Sequence, residues 1–305
     1  MSRNRFRNAP QLSAALWLVV ALLNPLAGCA EPSDDGLALG SHAYHTSHST
    51  QFKLPDVLRE ISGLTLDARE RLYAHNDERG IIYRIDYRQG RVVSRFALGD
   101  GIRDDFEGIA VADERIFLVT SNGTLYESVI GDADETLDYQ RYPAQLDCEV
   151  EGLTYSAVEQ RLLVACKNLF DQPGNEPEGA TALRIHKWNL EQRRYEANAV
   201  LSVSARTLAA LPHPVSQSKI KKLQLTGIAV AGNGNLLLLA GRQHLLLELT
   251  PEGVPVRLFP LQKSRHHQTE GIAITSTGLL LLADEGDGKG SKKTSGRLTA
   301  YEPDS

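Results

Sequence analysis

The sequence predicts an all-β domain assembled from one repeated sheet, and three observations predict it. A short phrase recurs five times: Ser62-Gly63-Leu64, Glu107-Gly108-Ile109-Ala110, Glu151-Gly152-Leu153, Thr226-Gly227-Ile228-Ala229 and Glu270-Gly271-Ile272-Ala273. The glycines lie 45, 44, 75 and 44 residues apart. Each interval holds several short apolar runs separated by turn residues such as Asn233-Gly234-Asn235 and Pro251-Glu252-Gly253. A period near 44 with about four short strands per unit is the mark of a β-propeller, here with five blades.

Each repeat begins with a strand at its glycine. The second strands are expected over 71–74, 116–120, 162–165, 236–240 and 279–283. They are continuously apolar, as strands buried on both faces must be. Amphipathic third strands follow over 81–86, 125–129, 183–188, 245–249 and 298–301, and outer strands over 92–98, 138–146, 195–203 and 256–261. The fifth repeat shows no fourth strand. Gln51-Phe52-Lys53-Leu54 stands at nearly the outer-strand distance from Gly63 and can complete that blade, closing the ring and removing an open edge. The long interval between Gly152 and Gly227 is accounted for by two inserts, 171–179 and 205–223. A decayed sixth blade is the alternative.

Residues 1–28 read as a signal peptide: Arg3, Arg5 and Arg7 precede an apolar stretch, Leu12 to Leu23, too short for a membrane span. Leu26-Ala27-Gly28-Cys29 resembles a bacterial lipobox, which makes Cys29 the expected lipid-modified first residue and places the protein in the envelope, at the outer membrane facing the periplasm. A plain secretory signal is the alternative. Residues 29–49 are expected to be a flexible tether, and the equal spacing of His42, His45 and His48 is not a metal pattern on a strand. The propeller is expected over 50–305. Loss of 1–28 takes the formal net charge from −5 to −8, and no basic tract interleaved with aromatics or zinc-finger spacing points to nucleic acid. An oxidising compartment permits a disulfide between Cys148 and Cys166, but the expected hairpin register offsets them, so a bridge and two free thiols both stay open.

The repeat phase gathers chemistry at one end of the ring. Glu107, Glu151 and Glu270 share the position before the glycine. Second strands return antiparallel to the same end, bringing Asp77, Lys167, Arg242 and Glu285. Three carboxylates about 5 Å apart at an effective dielectric of ~20 repel by roughly 3 kcal/mol per pair. A hard cation relieves this, Ca²⁺ ahead of Mg²⁺, with Glu107, Glu151, Glu270 and Glu285 as ligands. The alternatives are neutralisation by Lys167, or glutamates that simply accept backbone hydrogen bonds. His267, next to His266, is close enough in sequence to reach this mouth as a base or ligand contact. Asp284-Glu285-Gly286-Asp287-Gly288-Lys289-Gly290 lacks calcium-loop spacing and reads as a hairpin turn. No nucleophile elbow, His-Glu-x-x-His, Cys-x-x-Cys or P-loop is present in the sequence.

The ordered phrases Glu60-Ile61-Ser62-Gly63-Leu64, Asp105-Phe106-Glu107-Gly108-Ile109, Glu149-Val150-Glu151-Gly152-Leu153-Thr154-Tyr155, Leu225-Thr226-Gly227-Ile228-Ala229 and Thr269-Glu270-Gly271-Ile272-Ala273 resemble the SdiA-regulated (YjiK-like) family. The likeness runs from about residue 52 to 303. It implies a five-bladed propeller with a calcium site, usually on exported or membrane-attached proteins, and names no reaction. The chain departs from the pattern in the Gly/Lys-rich stretch after Asp284-Glu285. Two functions are therefore expected: a calcium-stabilised module that binds a small molecule or a protein at the envelope, or, alternatively, a metal-dependent hydrolase of lactones or phosphate esters.

Overall fold

The computed structural model describes residues 36–39, 42–131, 134–169, 181–212, 215–220, 222–287 and 293–304. They form five sheets that follow one another in chain order, antiparallel throughout except that Glu135–Leu137 joins the outer edge of the first in parallel. The strands are Ile61–Leu66, Leu72–Asn76, Ile81–Asp86 and Arg91–Leu98 in blade 1, and Phe106–Ala112, Arg115–Thr120, Leu125–Val129 and Tyr139–Tyr142 in blade 2. Blade 3 holds Cys148–Ser156, Arg161–Leu169, Thr181–Asn189 and Arg194–Ser204; blade 4 holds Gly227–Val230, Leu236–Ala240, Leu245–Leu249 and Pro255–Pro260. Blade 5 comprises Thr269–Ile274, Leu280–Asp284 and Arg297–Pro303. Its fourth strand is His42–Lys53, which pairs antiparallel with Arg297–Pro303 and sets Phe52 opposite Leu298. The first strand of each blade contacts that of the next, and blade 5 meets blade 1, so the ring is closed. The fold is a five-bladed β-propeller.

The second strands are buried on both faces. In Leu236–Ala240, Leu236, Leu238 and Ala240 join the core shared with blade 3, whereas Leu237 and Leu239 join the core shared with blade 5. Blade-to-blade cohesion therefore comes from the same runs that build each blade, by alternate side chains.

The tether expected over 29–49 is shorter than the sequence suggests. Gly36–Leu39 adds a fifth strand to blade 5, and His42–Lys53 is continuous strand. Leu39 and Tyr44 are buried in the core between blades 4 and 5, and the Tyr44 hydroxyl donates to the Gly278 carbonyl at 2.6 Å. Polar composition concealed this, because a strand needs only alternate residues inward. The signal segment, Cys29 and the insert 171–179 lie outside the described residues. The other insert contains two short helices, Ala205–Ala209, capped by Ser204, and Gln217–Ile220. Leu208, Ile220 and Leu223 fill the core beneath it, so this segment is packing and not a sixth blade. Among the described residues no helix is long and apolar enough to cross a membrane.

Candidate functional site

The repeat phrase builds three stacked layers around the axis. Residues before the glycine line a cavity of about 250 Å³ at one end, and all five are there: Ser62, Glu107, Glu151, Thr226 and Glu270. The residues after the glycine, Leu64, Ile109, Leu153, Ile228 and Ile272, converge below them around a void of only about 10 Å³. That is room for about one water. The mouth is therefore a dead-ended cup with an aliphatic floor, not a channel. The glycines between the layers allow the inner strands to touch. A Cβ on Gly108 would lie 2.7 Å from the Leu153 backbone nitrogen, and one on Gly227 would lie 2.9 Å from the Glu270 carbonyl oxygen.

A β-bulge aims the acidic side chains. The pairing of first and second strands slips between Ile61 and Gly63, Phe106 and Gly108, Val150 and Leu153, and Thr269 and Gly271. Each slip leaves the residue before the glycine unpaired, and a bulged residue is free of the alternation that would turn it into a blade interface. Glu107, Glu151 and Glu270 reach the cup this way. In the remaining blade, Thr226 sits just before the first strand; its hydroxyl donates to the Thr269 carbonyl at 2.6 Å and accepts from the Gly241 amide at 3.1 Å.

The cup is lined by six carboxylates, Glu60, Asp77, Glu107, Glu151, Glu270 and Glu285, against two cations, Lys167 and Arg242. Lys167 is committed: its ammonium donates to Glu151 and, at 3.1 Å, to Glu149. Arg242 is exposed and makes no ion pair among the described residues. Glu107 accepts from the Ser62 hydroxyl at 3.3 Å, and Glu285 accepts from the Gln268 amide. Glu60 pairs with Arg59 at 2.7 Å. Burial, with Glu151 and Asp105 nearby, holds the Glu107 carboxyl well above the usual range, and Glu151 is also raised by burial despite Lys167. Glu270 is pushed up to about 8 by burial, then by Glu151 and Glu285. Asp77 and Glu285 are raised as well, both by burial first and then by neighbouring carboxylates.

The donor set suits a hard cation. Asp77 Oδ1 and Asn76 Oδ1 are buried without a hydrogen-bond partner, which is costly unless something positive meets them. The spacing limits how many groups one ion can take. Oxygens around one Ca²⁺, at about 2.4 Å each, lie within about 4.8 Å of one another. Among the described residues no three of these carboxylates meet that limit. With the side chains as they stand, a single ion could draw on no more than two of these carboxylates.

Of the residues expected at the mouth, Glu107, Glu151, Glu270, Glu285, Asp77, Lys167 and Arg242 all line the cup. His267 does not. It is exposed on the rim, 3.4 Å from Asp287, while His266 is buried between Asp284 at 2.9 Å and the Tyr301 hydroxyl at 2.6 Å. Closeness in sequence to Glu270 does not carry them to the cup, because the strand begins after them, at Thr269. Glu60 and Gln268 were missed, although the repeat carries their signal. Glu60, Asp105, Glu149, Gln224 and Gln268 all stand three residues before a repeat glycine. Glu149 bonds Lys167, near the end of the second strand of blade 3, and Gln268 bonds Glu285, just past that of blade 5. Cys148 and Cys166 are bridged, with Cα atoms 5.7 Å apart. Cys148 pairs with Leu169 and Cys166 with Val150; the bulge between these pairs brings the two sulfurs together diagonally.

Fold and site together define a five-bladed propeller with an acidic, closed-bottomed cup. No family model and no curated protein matches the chain. Among solved structures it is similar to the glutaminyl cyclase of Myxococcus xanthus, at 14% identity and TM-score 0.54, over 84% of this chain and 94% of that one. It is also similar to the PQQ-bound aldose sugar dehydrogenase of Streptomyces coelicolor, at 12% identity and TM-score 0.50, over 83% and 98% of the two chains. At these identities the likeness is one of fold.

Proposed function

We propose that this chain is a calcium-binding propeller of the SdiA-regulated (YjiK-like) type, tethered to the bacterial envelope through Cys29, whose cup binds a ligand or a protein segment. One observation carries the reading: six carboxylates converge on one cavity that holds a single committed lysine and an exposed arginine. Ca²⁺, with Mg²⁺ second, would be held by pairs drawn from Glu107, Glu151, Glu270 and Glu285, with Asp77 at the edge. When bound it supplies the positive charge that offsets these groups and a contact for an anionic or hydroxylated ligand. Support for the envelope address rests on the Arg-rich start, the apolar stretch and Leu26-Ala27-Gly28-Cys29. Incorporation of a labelled fatty acid, lost in Cys29→Ser, tests it.

The metal is tested by calorimetric titration of chelator-stripped protein, with thermal melts followed at Trp188. The reading requires saturable Ca²⁺ binding that raises the melting temperature and weakens in Glu151→Gln. Indifference of wild type to millimolar Ca²⁺ and Mg²⁺ would overturn it. A hydrolase is the second reading, favoured by the unpaired Arg242 beside an open cavity, an arrangement suited to an anionic substrate. Turnover of a lactone or phosphate-ester panel that vanishes in Arg242→Ala would select it.

A further inference from the structure

Away from the cup, one cluster of metal-ligating side chains has no role in the reading above. Cys148, Cys166 and His186 each bring one ligand atom within 4.8 Å of the others. They come from three neighbouring strands of blade 3. The His186 ring is nearly buried, its Nε2 has no hydrogen-bond partner, and that nitrogen lies 3.4 Å from Asp147 Oδ1. With an exposed carboxylate at the edge of hydrogen-bond range as its neighbour, this nitrogen is weakly satisfied. Asp147 is largely exposed and pairs with Arg184, so it stands where the cluster meets solvent.

We propose that these residues form a second, redox-gated site for a thiophilic divalent cation of the zinc class, open only when the Cys148–Cys166 bridge is reduced. Two thiolates and one imidazole are a soft-to-borderline donor set, unlike the all-oxygen cup. A dithiol reductant delivers two electrons to the bridge. Two protons complete two thiols, and the reductant is oxidised to its own disulfide. The cation then displaces both thiol protons to solvent and binds two thiolates and a neutral imidazole nitrogen. Two sulfurs at about 2.3 Å from a tetrahedral zinc lie about 3.8 Å apart. Sulfurs bonded to each other offer no thiolate and cannot adopt that spacing. Bridge and metal are therefore mutually exclusive. The fourth position falls to water, because Asp147, although 3.4 Å from His186, lies outside the group of three. Cys148 precedes Glu149 and Cys166 precedes Lys167, a bonded pair whose lysine lines the cup, so the exchange takes place in the hairpin that feeds the first site.

The test is a Co²⁺ titration of the full chain with 1 mM Ca²⁺ present to fill the acidic cup. One sample is oxidised; the other is reduced with a phosphine that is then removed under argon. The reduced protein is expected to bind one equivalent with a thiolate-to-cobalt band in the near ultraviolet, displaced by Zn²⁺. The oxidised protein and Cys166→Ser show no such tight site. His186→Ala weakens binding tenfold or more while far-UV dichroism stays unchanged. If that variant misfolds, zinc protection of the two thiols from a disulfide reagent in the reduced wild type replaces it. No thiolate band, equal affinity with and without the histidine, unprotected thiols, or a reduced chain that stays unfolded with Zn²⁺ present would each overturn the proposal.

Discussion

Replacing Glu270 with glutamine separates a cation site from a merely structural carboxylate. Burial and the charges of Glu151 and Glu285 lift Glu270 from 4.5 to about 8 when no cation is present. The folded protein then retains a proton that the unfolded chain releases. Stability from this group is full below about pH 4.5 and is lost as the pH rises through about 8. Between pH 5 and pH 7 the loss is roughly 2–3 kcal/mol. At roughly 2–4 °C per kcal/mol for a domain of this size, that is about 5–10 °C in melting temperature. Glutamine keeps the shape and removes the charge. Metal-free Glu270→Gln should therefore melt about 5–10 °C above wild type at pH 7 and within a few degrees of it at pH 5. With saturating Ca²⁺ the order should narrow or reverse, because wild type gains a ligand that the variant lacks. Differential scanning fluorimetry in chelator and in Ca²⁺ at the two pH values reads all of this. A variant destabilised equally at both pH values, with or without calcium, would show that Glu270 serves backbone hydrogen bonds and would refute the reasoning.

Four further outcomes follow from the same geometry. Lys167→Met removes the ammonium that competes for Glu151, so Ca²⁺ affinity measured by calorimetry should rise about tenfold or more; a fall would mean that Lys167 helps to form the site. Gly108→Ala should cost roughly 1–3 kcal/mol in denaturant unfolding, because its Cβ meets backbone, whereas Gly232→Ala, with nothing within 4 Å, should stay within about 0.5 kcal/mol. Reducing Cys148–Cys166, which closes a separation of 18 residues, should cost about 3 kcal/mol by chemical denaturation in metal-free buffer. Tyr44→Ala should loosen the closing strand at a cost of roughly 3–5 kcal/mol, seen as early hydrogen exchange over 42–53.

Blade count, strand order and closure were legible because each rests on a feature the chain repeats. The period set the blade count, and the apolar second strands set their burial. The missing fourth strand of the fifth repeat pointed to Gln51–Leu54. Legibility failed where one copy departs from the rest. The stretch 42–49 looked like part of a tether because Tyr44 alone in it is fully buried, and the Tyr44 bond to Gly278 spans 234 positions. The seven cup residues found from sequence all occupy repeat-phased positions; His267, placed by nearness alone, was misplaced. Glu60 and Gln268 are phased too, but at a position three before the glycine, occupied by Glu, Asp or Gln, that the reading of the glycine phrase itself passed over.

The bulge explains why this repeat can diverge in function without losing its fold. The positions after the glycine pack the floor, and all five are Leu or Ile. The glycine admits almost nothing else where backbones nearly touch. In four blades the position before it is freed from pairing by the bulge, and in all five it faces the cup, so its identity costs the sheet little. Ser62 and Thr226 use that freedom to hold neighbouring blades, through Glu107 and Thr269. Glu107, Glu151 and Glu270 bring negative charge into a partly dehydrated cup. That choice is unfavourable for the empty protein, as their raised pKa values record. Three acids at a position that is serine or threonine in the other two blades are the charge that the proposed cation would offset.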